Sequence, residues 1–512
     1  MTATELDPRL PCIVGTARRT WHPGDEPAPE PLAMWAEVAR SAAADARSTR
    51  DPLPSIDYLG VVHCQSWAYD HPADHLAASL GLGPGERQVS VLAGTAPQRL
   101  IDDAAVRMLR GEISAAIVVG AEAFATEKQF RKAGETPPWS HPHPSPPQFP
   151  VDLDEWYLPT EMAHGVLPAW LTFALLGQAR WAERGATAAD RQAFADLMGR
   201  LNAVAGTNPD AWFRQPYRPA ELTTATADNR MVAFPYTKRT TAFMDVDMAA
   251  ANLLVTKGVA DDWGIPDEHR VYLRGWGFAR DEIHIAARAE LGSSPAMRRA
   301  TSSALAAAGL QVDDVDVFDL YSCFGSAVQF AQDALGLDAL DPRPITVTGG
   351  LPYHGGPSSN YLSHSTSHLV DHLRSHPDQI ALATGIGMHM TKHVAAVWAN
   401  RPGPLLRAHD DGDQHWNAPE SAEARAVLDH HDGEARMVAA SVVHAPDGTP
   451  DHAIAVCEVD DGARCYATSR DADVIAAISE DRWPEMTATI SAGPTVNELH
   501  IGPKDLDSSR AS

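Results

Sequence analysis

The stretches PQRLIDDAAVRMLRGEISAAIVVGAEA (97–123) and YLSHSTSHLVDHLRSHPDQIALATGIG (361–387) lie in opposite halves of the chain and follow one plan. Each is a helix, a short polar break, and an apolar strand that ends at a glycine turn. In the first, Leu100, Ile101, Ala104, Ala105 and Met108 recur at helical spacing, and Gly111 is a stop signal. SAAIVVGAEA and QIALATGIG are mostly apolar, the pattern of strands buried on both faces of a sheet. A helix–strand unit used twice predicts a duplicated α/β core.

The rest of the chain arranges itself around that duplication. CIVGTA and IDYLGVVHC are further Val- and Ile-rich runs of buried-strand length. GETPPWSHPHPSPPQFP is too rich in proline for helix or central strand and opens an insertion. Inside it, LPAWLTFALLGQARWAERG and TAADRQAFADLMGRLNAVAG read as helices, and Thr187 with Asp190 resembles a capping box at the start of the second. From 268 the α/β rhythm returns. SPAMRRATSSALAAAGL reads as helix, VDVFDLY as strand, SAVQFAQDALGL as helix and PITVTGG as strand, followed by the histidine-rich helix and its strand. HDDGDQHWNAPESAEA reads as a polar linker. The Asp-Gly turns of ARMVAASVVHAPDGTPDHAIAVCEVDDGARCYATSR predict hairpins of a small β-rich domain. The expected domains are 1–267, with an insertion at about 124–240, then 268–403, then 404–512.

Bulk properties exclude several classes. At 512 residues and 44% hydrophobic composition the chain can bury a large core. Its formal net charge is −26 and its Lys and Arg are not clustered, which argues against nucleic acid and membrane as partners. Cys12, Cys64, Cys323, Cys457 and Cys465 are scattered, so neither a disulfide framework nor a structural zinc site is expected, and a cytoplasmic setting is. No signal peptide is read at the N-terminus. No apolar run approaches the roughly 18 residues that a spanning helix needs.

Chemistry in α/β proteins gathers at strand ends, and three such loops stand out. In DVFDLYSCFGSAVQ, Tyr321, Ser322 and Cys323 sit between a strand and a helix. A thiol near a helix N-terminus can serve as a nucleophile; the plainer alternative is a small buried side chain. In ATGIGMHMTKH, glycines present backbone N–H groups to a ligand oxygen, with His389 and His393 four residues apart. The plainer alternative there is a tight strand-to-helix turn with solvated histidines. GGLPYHGGPSSNY carries His354 in a glycine run. Together the loops offer a thiol, imidazoles and backbone donors, a set suited to acyl transfer or carbon–carbon chemistry at a thioester. His364, His368, His372 and His376 then recur at every fourth position. Each step of four drifts roughly 40° around a helix, so the four cannot share one metal. They are expected to be solvated or at the core edge, and no metal site is expected.

In order and spacing these loops resemble those of the thiolase superfamily, specifically thiolase-like proteins related to sterol-carrier-protein-type thiolases and acetyl-CoA acetyltransferases. DLYSCFGSAVQ resembles their Asn-Glu-Ala-Phe or His-Asp-Cys-Phe loop, GGLPYHGGP their Gly-His-Pro loop, and ATGIG their Cys-x-Gly loop. VSVLAGTAPQ resembles the Cys-x-Ser loop that carries the acylated nucleophile. FPYTKRTTAFMDVDMAAANLL and RLNAVAGTNPDA are similar to family segments, so the likeness spans residues 10–400. The resemblance implies a duplicated five-layer αβαβα fold with an insertion that holds coenzyme A. It implies a CoA thioester as substrate with no separate cofactor, a place in lipid metabolism, and a homodimer or a small OB-fold protein as partner. The C-terminal domain resembles the extra domain of one thiolase-like subgroup.

The family's catalytic positions are emptied here. Its nucleophilic Cys falls at Ala93, its Gly-His-Pro histidine at Gly356, its acid/base Cys at Ala383, and the first residue of its Asn-Glu-Ala-Phe loop at Tyr321. Alanine offers neither lone pair nor proton, so the standard Claisen mechanism cannot run on these groups. The first expectation is acyl transfer, or carbon–carbon bond chemistry, on a CoA thioester. Tyr321, Cys323, His354 and His393 are its catalytic candidates, and Ala93 and Gly385 its backbone donors to an oxyanion. The second is retro-aldol cleavage of a β-hydroxyacyl-CoA by Tyr321 and Tyr361, whose positions are similar to the tyrosines of thiolase-like retro-aldolases of steroid side-chain breakdown. The third is acyl-CoA binding without catalysis.

Overall fold

The computed structural model describes residues 6–146, 152–185, 187–405 and 423–502. The expected linker at 409–424 lies outside the described residues except for its last two positions. In chain order the strands of the body are β1 (Pro11–Thr20), β2 (Tyr58–Val61), β3 (Glu86–Val89), β4 (Ala115–Ala123), β5 (Met231–Ala233), β6 (Tyr236–Thr237), β7 (Asp247–Thr256), β8 (Val271–Arg280), β9 (Val317–Asp319), β10 (Ile380–Gly387) and β11 (Lys392–Ala399). All but β5 and β6 join a nine-stranded sheet in the order β3-β2-β4-β7-β1-β8-β11-β10-β9.

The sheet is built symmetrically about the β1–β8 junction, where Cys12 pairs with Tyr272 and Ile13 with Val271. Outward from β1, the neighbours β7 and β4 are antiparallel and β2 is parallel. Outward from β8, the neighbours β11 and β10 are antiparallel and β9 is parallel. The strands of the two similar stretches, β4 and β10, occupy equivalent places. The duplication read from the sequence is therefore present in the topology.

Strand alternation sorts side chains between layers. Along β4, Ile117 and Val119 face a core covered by helix Pro31–Asp45, whereas Ala116 and Val118 face another core. In that second core, helix Ala96–Arg110 and helix Tyr361–Ser375 bury Leu100, Met108, Leu369 and Leu373 beside strand residues from both halves. Helices Pro295–Ala308 and Gly325–Leu335 cover the far face of the second half. The result is five layers, αβαβα. The helices of the repeated unit are the shared middle layer, which explains why its strands are apolar on both faces.

A second sheet contains Gly433–His444, Pro450–Glu458, Arg464–Ser469, Thr487–Ala492 and Asn497–Ile501. Its hairpins turn at Asp447-Gly448 and Asp461-Gly462, where the glycines take φ of +88° and +80°. Strands β5 and β6 of the insertion extend this sheet, with Ala233 paired to Val443. Arg464, 4% exposed, ties it to the body by donating to the carbonyls of Ala286 at 3.3 Å and Arg288 at 2.5 Å. Among the described residues, no helix is long and apolar enough to cross a membrane.

Three local expectations are corrected. PITVTGG is not a strand. The Phe318 and Leu320 N–H groups donate to the carbonyls of Pro344 and Ile345 at 2.8 and 3.0 Å. The Asp319 carboxylate then accepts the Thr346 hydroxyl at 2.8 Å and the Val347 N–H at 2.9 Å, and Thr346 Oγ1 accepts the Gly349 N–H at 3.0 Å, so side-chain bonds end the pairing. ATGIGMHMTKH joins strand to strand, with Ile386 paired to His393. The histidine ladder is not uniformly peripheral: His364 is fully buried and His368 nearly so, because their helix runs between the two halves. Only His372 and His376, stacked at 4.4 Å, lie toward the surface.

Candidate functional site

Tyr321 follows the end of β9, and its N–H donates to Thr384 Oγ1 on β10 at 2.9 Å. A methyl group at Gly94 would lie 2.3 Å from the Tyr321 hydroxyl and 2.3 Å from the Ile386 carbonyl oxygen. Position 94 therefore admits only glycine, for reasons of close approach rather than torsion. A methyl group at Gly387 would lie 3.3 Å from Ala93 Cβ and 3.2 Å from Lys392 Cβ. The loops after β3, β9 and β10 thus meet at one point, with the Tyr321 hydroxyl among them.

Behind Tyr321 stands Tyr361, edge to face, with ring centroids 5.5 Å apart. The Tyr361 hydroxyl bonds Thr348 Oγ1 at 2.6 Å and donates to Asp319 Oδ2 at 3.4 Å. Burial pushes the Tyr361 phenol well above the ordinary range, and the Asp319 carboxylate adds to this. Burial raises Tyr321 and Asp319 as well.

His354 joins this cluster. Its ring lies 6.0 Å from Tyr361, 5.5 Å from His364 and 5.4 Å from His368. Its Nδ1 is 3.4 Å from Asn208 Nδ2, and His368 Nε2 is 3.6 Å from Asp210. His354 Nε2 and both ring nitrogens of His364 are buried without a hydrogen-bond partner among the described residues. Burial, with Arg18 and His22 nearby, lowers His354 to about 3, so it is neutral. The space at Gly356 is closed by packing: a methyl group there would lie 3.3 Å from Leu351 Cδ2 and 3.4 Å from the Phe243 carbonyl oxygen.

Other expected residues do not join. His393 Nε2 lies 3.2 Å from Asp281 Oδ2, Ser294 Oγ and the Met390 carbonyl oxygen. Ser294 Oγ and Asp281 accept the N–H groups of Met297 and Ala296, capping helix Pro295–Ala308 in the outer layer. His393 therefore belongs to a capping network rather than to the meeting point of the loops. Cys323 is half-buried, its thiol pushed up by burial, and no base is within hydrogen-bonding distance of its Sγ among the described residues. The Ala93 N–H already donates to Ser359 Oγ at 3.0 Å. Gly385 serves packing, since a methyl group there would lie 2.3 Å from Leu362 Cδ1. Among the described residues, no group of three or more His, Cys, Asp or Glu side chains is arranged to hold a metal ion.

Lys392 is the residue that sequence reasoning missed. Alternation along β11 turns it the opposite way from His393, toward Gly387 and Ala93. KHVAAVWA is apolar after its first two residues and shows no alternation, so nothing in it marks which way Lys392 faces until its strand pairing is known. Two cavities of about 750 Å³ lie elsewhere, one along His63, Cys64, Trp67 and Arg87, the other along His164, His452 and Arg470. Neither is lined by Tyr321, Cys323, His354 or His393.

No family model matches the sequence, and no curated protein matches it. Solved structures do. A monomeric SCP2-thiolase-like protein type 1 from Mycobacterium smegmatis matches with a TM-score of 0.82 at 28% identity, covering 97% of this chain and 100% of its own. The Ltp2-ChsH2(DUF35) aldolase matches with a TM-score of 0.60 at 17% identity, over 77% of this chain and 99% of its own. An acetyl-CoA acetyltransferase from Syntrophomonas wolfei matches with a TM-score of 0.54 at 16% identity, over the same shares. The architecture of the body is the thiolase fold, and the first match takes in the C-terminal sheet as well.

Proposed function

We propose that this thiolase-like protein acts on a CoA thioester, and that its reaction is retro-aldol cleavage of a β-hydroxyacyl-CoA by Tyr321 and Tyr361. The observation that carries this reading is the placement of the Tyr321 hydroxyl against Gly94 and the Ile386 carbonyl, with Tyr361 edge-on behind it. In such a cleavage a base takes the β-hydroxyl proton, the Cα–Cβ bond breaks, and a carbonyl forms at Cβ. The electron pair passes to the thioester enolate, which an acid then protonates at Cα. Two phenols answer to those two roles. Tyr361 accepts the hydroxyl proton as its own passes to Asp319, 3.4 Å away. Tyr321 protonates Cα. Burial keeps both phenols protonated at rest, which suits concerted transfer rather than a preformed phenolate. Acyl transfer through Cys323 has weaker support, because no base accompanies the thiol.

One observation favours a second reading, binding without catalysis: the Ala93 N–H is engaged by Ser359 and offers no free donor to an oxyanion. One experiment separates the readings. The protein is incubated with a panel of β-hydroxyacyl-CoA thioesters, and a released aldehyde or ketone and a shortened acyl-CoA are measured. The retro-aldol reading expects turnover that falls by about a hundredfold or more in Tyr321→Phe. A covalent acyl mass on Cys323 would replace it with acyl transfer. A CoA-dependent rise in melting temperature without turnover would replace it with binding alone. We extend the monomeric state of the M. smegmatis protein to this chain in preference to a homodimer or an OB-fold partner, and sedimentation velocity tests it.

A further inference from the structure

Three cations surround the meeting point of the loops. Strands β8 and β11 are antiparallel neighbours, and Lys392 pairs in register with Arg280. Like charges directly opposite on adjacent strands repel. Arg99 is the fourth residue of helix Ala96–Arg110, whose first turn holds no acidic residue and whose Thr95 makes no side-chain cap. A cation in a first turn opposes the helix dipole. The Arg99 guanidinium lies 5.2 Å over the ring of Phe278, which shares a face of β8 with Arg280.

The Lys392 ammonium lies 4.8 Å over the Trp156 ring. Among the described residues, no carboxylate forms an ion pair with Lys392 or Arg280, and Arg280 Nε is buried without a hydrogen-bond partner. Burial, with Arg280 and Arg99 adding to it and Glu155 opposing, holds Lys392 below the ordinary lysine range. Acidic partners are plentiful in a chain of net charge −26. Lys392 and Arg280, like charges opposite one another with no ion-paired carboxylate among the described residues, break a rule of stability, and such breaks concentrate where a ligand compensates.

We propose that Lys392, Arg280 and Arg99 bind a carboxylate on the acyl group of the substrate, so that the preferred thioester is that of a dicarboxylic acid. This rests on the CoA-thioester reading above. The phosphates of CoA are the other source of an oxyanion, but the pantetheine arm holds them far from the thioester carbon. Lys392, in contrast, begins beside Gly387 and Ala93. A guanidinium fork matches a carboxylate in two parallel hydrogen bonds.

Calorimetric titration with succinyl-CoA and butyryl-CoA, which exchange a carboxylate for a methyl group, tests the proposal. Wild type is expected to bind the succinyl thioester at least about tenfold tighter. Lys392→Met and Arg280→Gln should each remove most of that preference while leaving butyryl affinity in place, and Lys392→Arg should keep it. Equal affinity on wild type, or a preference unchanged in both variants, overturns the proposal. So does a dependence on Lys392 that disappears when pantetheine thioesters replace CoA thioesters, because the cations then read the phosphates. If neither thioester binds, the CoA reading fails and free glutarate decides the anion site. A rise in melting temperature in wild type that is absent in Lys392→Met supports it, and no rise in wild type overturns it.

Discussion

Tyr321 and Tyr361 meet with their ring planes at 90° and centroids 5.5 Å apart, yet their hydroxyls sit in different surroundings. That of Tyr361 is bonded to Thr348 and Asp319, whereas that of Tyr321 has no hydrogen-bond partner among the described residues. Removing an unpartnered hydroxyl costs little, and removing a bonded one leaves a buried acceptor short. Tyr321→Phe should therefore stay within about 0.5 kcal/mol of wild type in stability, whereas Tyr361→Phe should lose about 1–2 kcal/mol. Denaturant unfolding of both variants checks the order, and a larger loss in Tyr321→Phe would contradict it.

Gly94→Ala should be destabilising by about 1–3 kcal/mol, because the added methyl meets both the Tyr321 hydroxyl and the Ile386 carbonyl oxygen at 2.3 Å. Tyr321→Phe in the same chain relieves only one of those contacts. The backbone oxygen stays, so the double variant should recover a minor part of the loss. Full recovery in a double-mutant cycle would show that the phenol alone sets the constraint.

His354 and Glu122 should shape stability in opposite ways. Burial lowers His354 from 6.5 to about 3, so on acidification the unfolded chain takes up a proton first. Stability present above about 6.5 is then lost progressively as pH falls toward 3. Burial raises Glu122 from 4.5 to about 7, so between those values the folded chain holds a proton that the unfolded chain has released. Its contribution is present below 4.5 and is lost as pH rises toward 7. Urea midpoints across pH should lose acid-side slope in His354→Gln and the rise-side loss in Glu122→Gln; unchanged profiles in both would refute the assignment.

Arg464→Met should cost about 3 kcal/mol or more, because it strands buried carbonyls at 286 and 288 and removes the Glu458 ion pair. The bonds cross between the C-terminal sheet and the body, so unfolding should lose cooperativity between the two units. Differential scanning calorimetry checks this: a second transition is expected, and a single unshifted one would sink the idea.

Much of the architecture was legible before any coordinates. Strands buried on both faces must be mostly apolar, and the middle-layer helices must carry wide apolar stripes. Leu100 through Met108 and SAAIVVGAEA show both. The Asp-Gly hairpins at 447 and 461 were legible because a tight turn with positive φ restricts its residues. PITVTGG was not, because its apolar and β-branched residues fit a strand until Asp319, distant in sequence, takes its polar groups.

The site was legible in its loops and not in its members. The sequence by itself determined that the family's cysteines and histidine are absent at 93, 383 and 356, since a residue's chemistry needs no coordinates. It also placed the loops at 321–323 and 388–391 at strand ends, whereas the loop that carries His354 follows no strand. Only the tertiary structure decided which side chains meet there. Adjacent residues on a strand point to opposite faces, so the pairing of β11 with β8 sends His393 to a helix cap and Lys392 to the loops. Packing between the two halves likewise draws His364 into the core and leaves His376 at the surface, a distinction that spacing along one helix cannot carry.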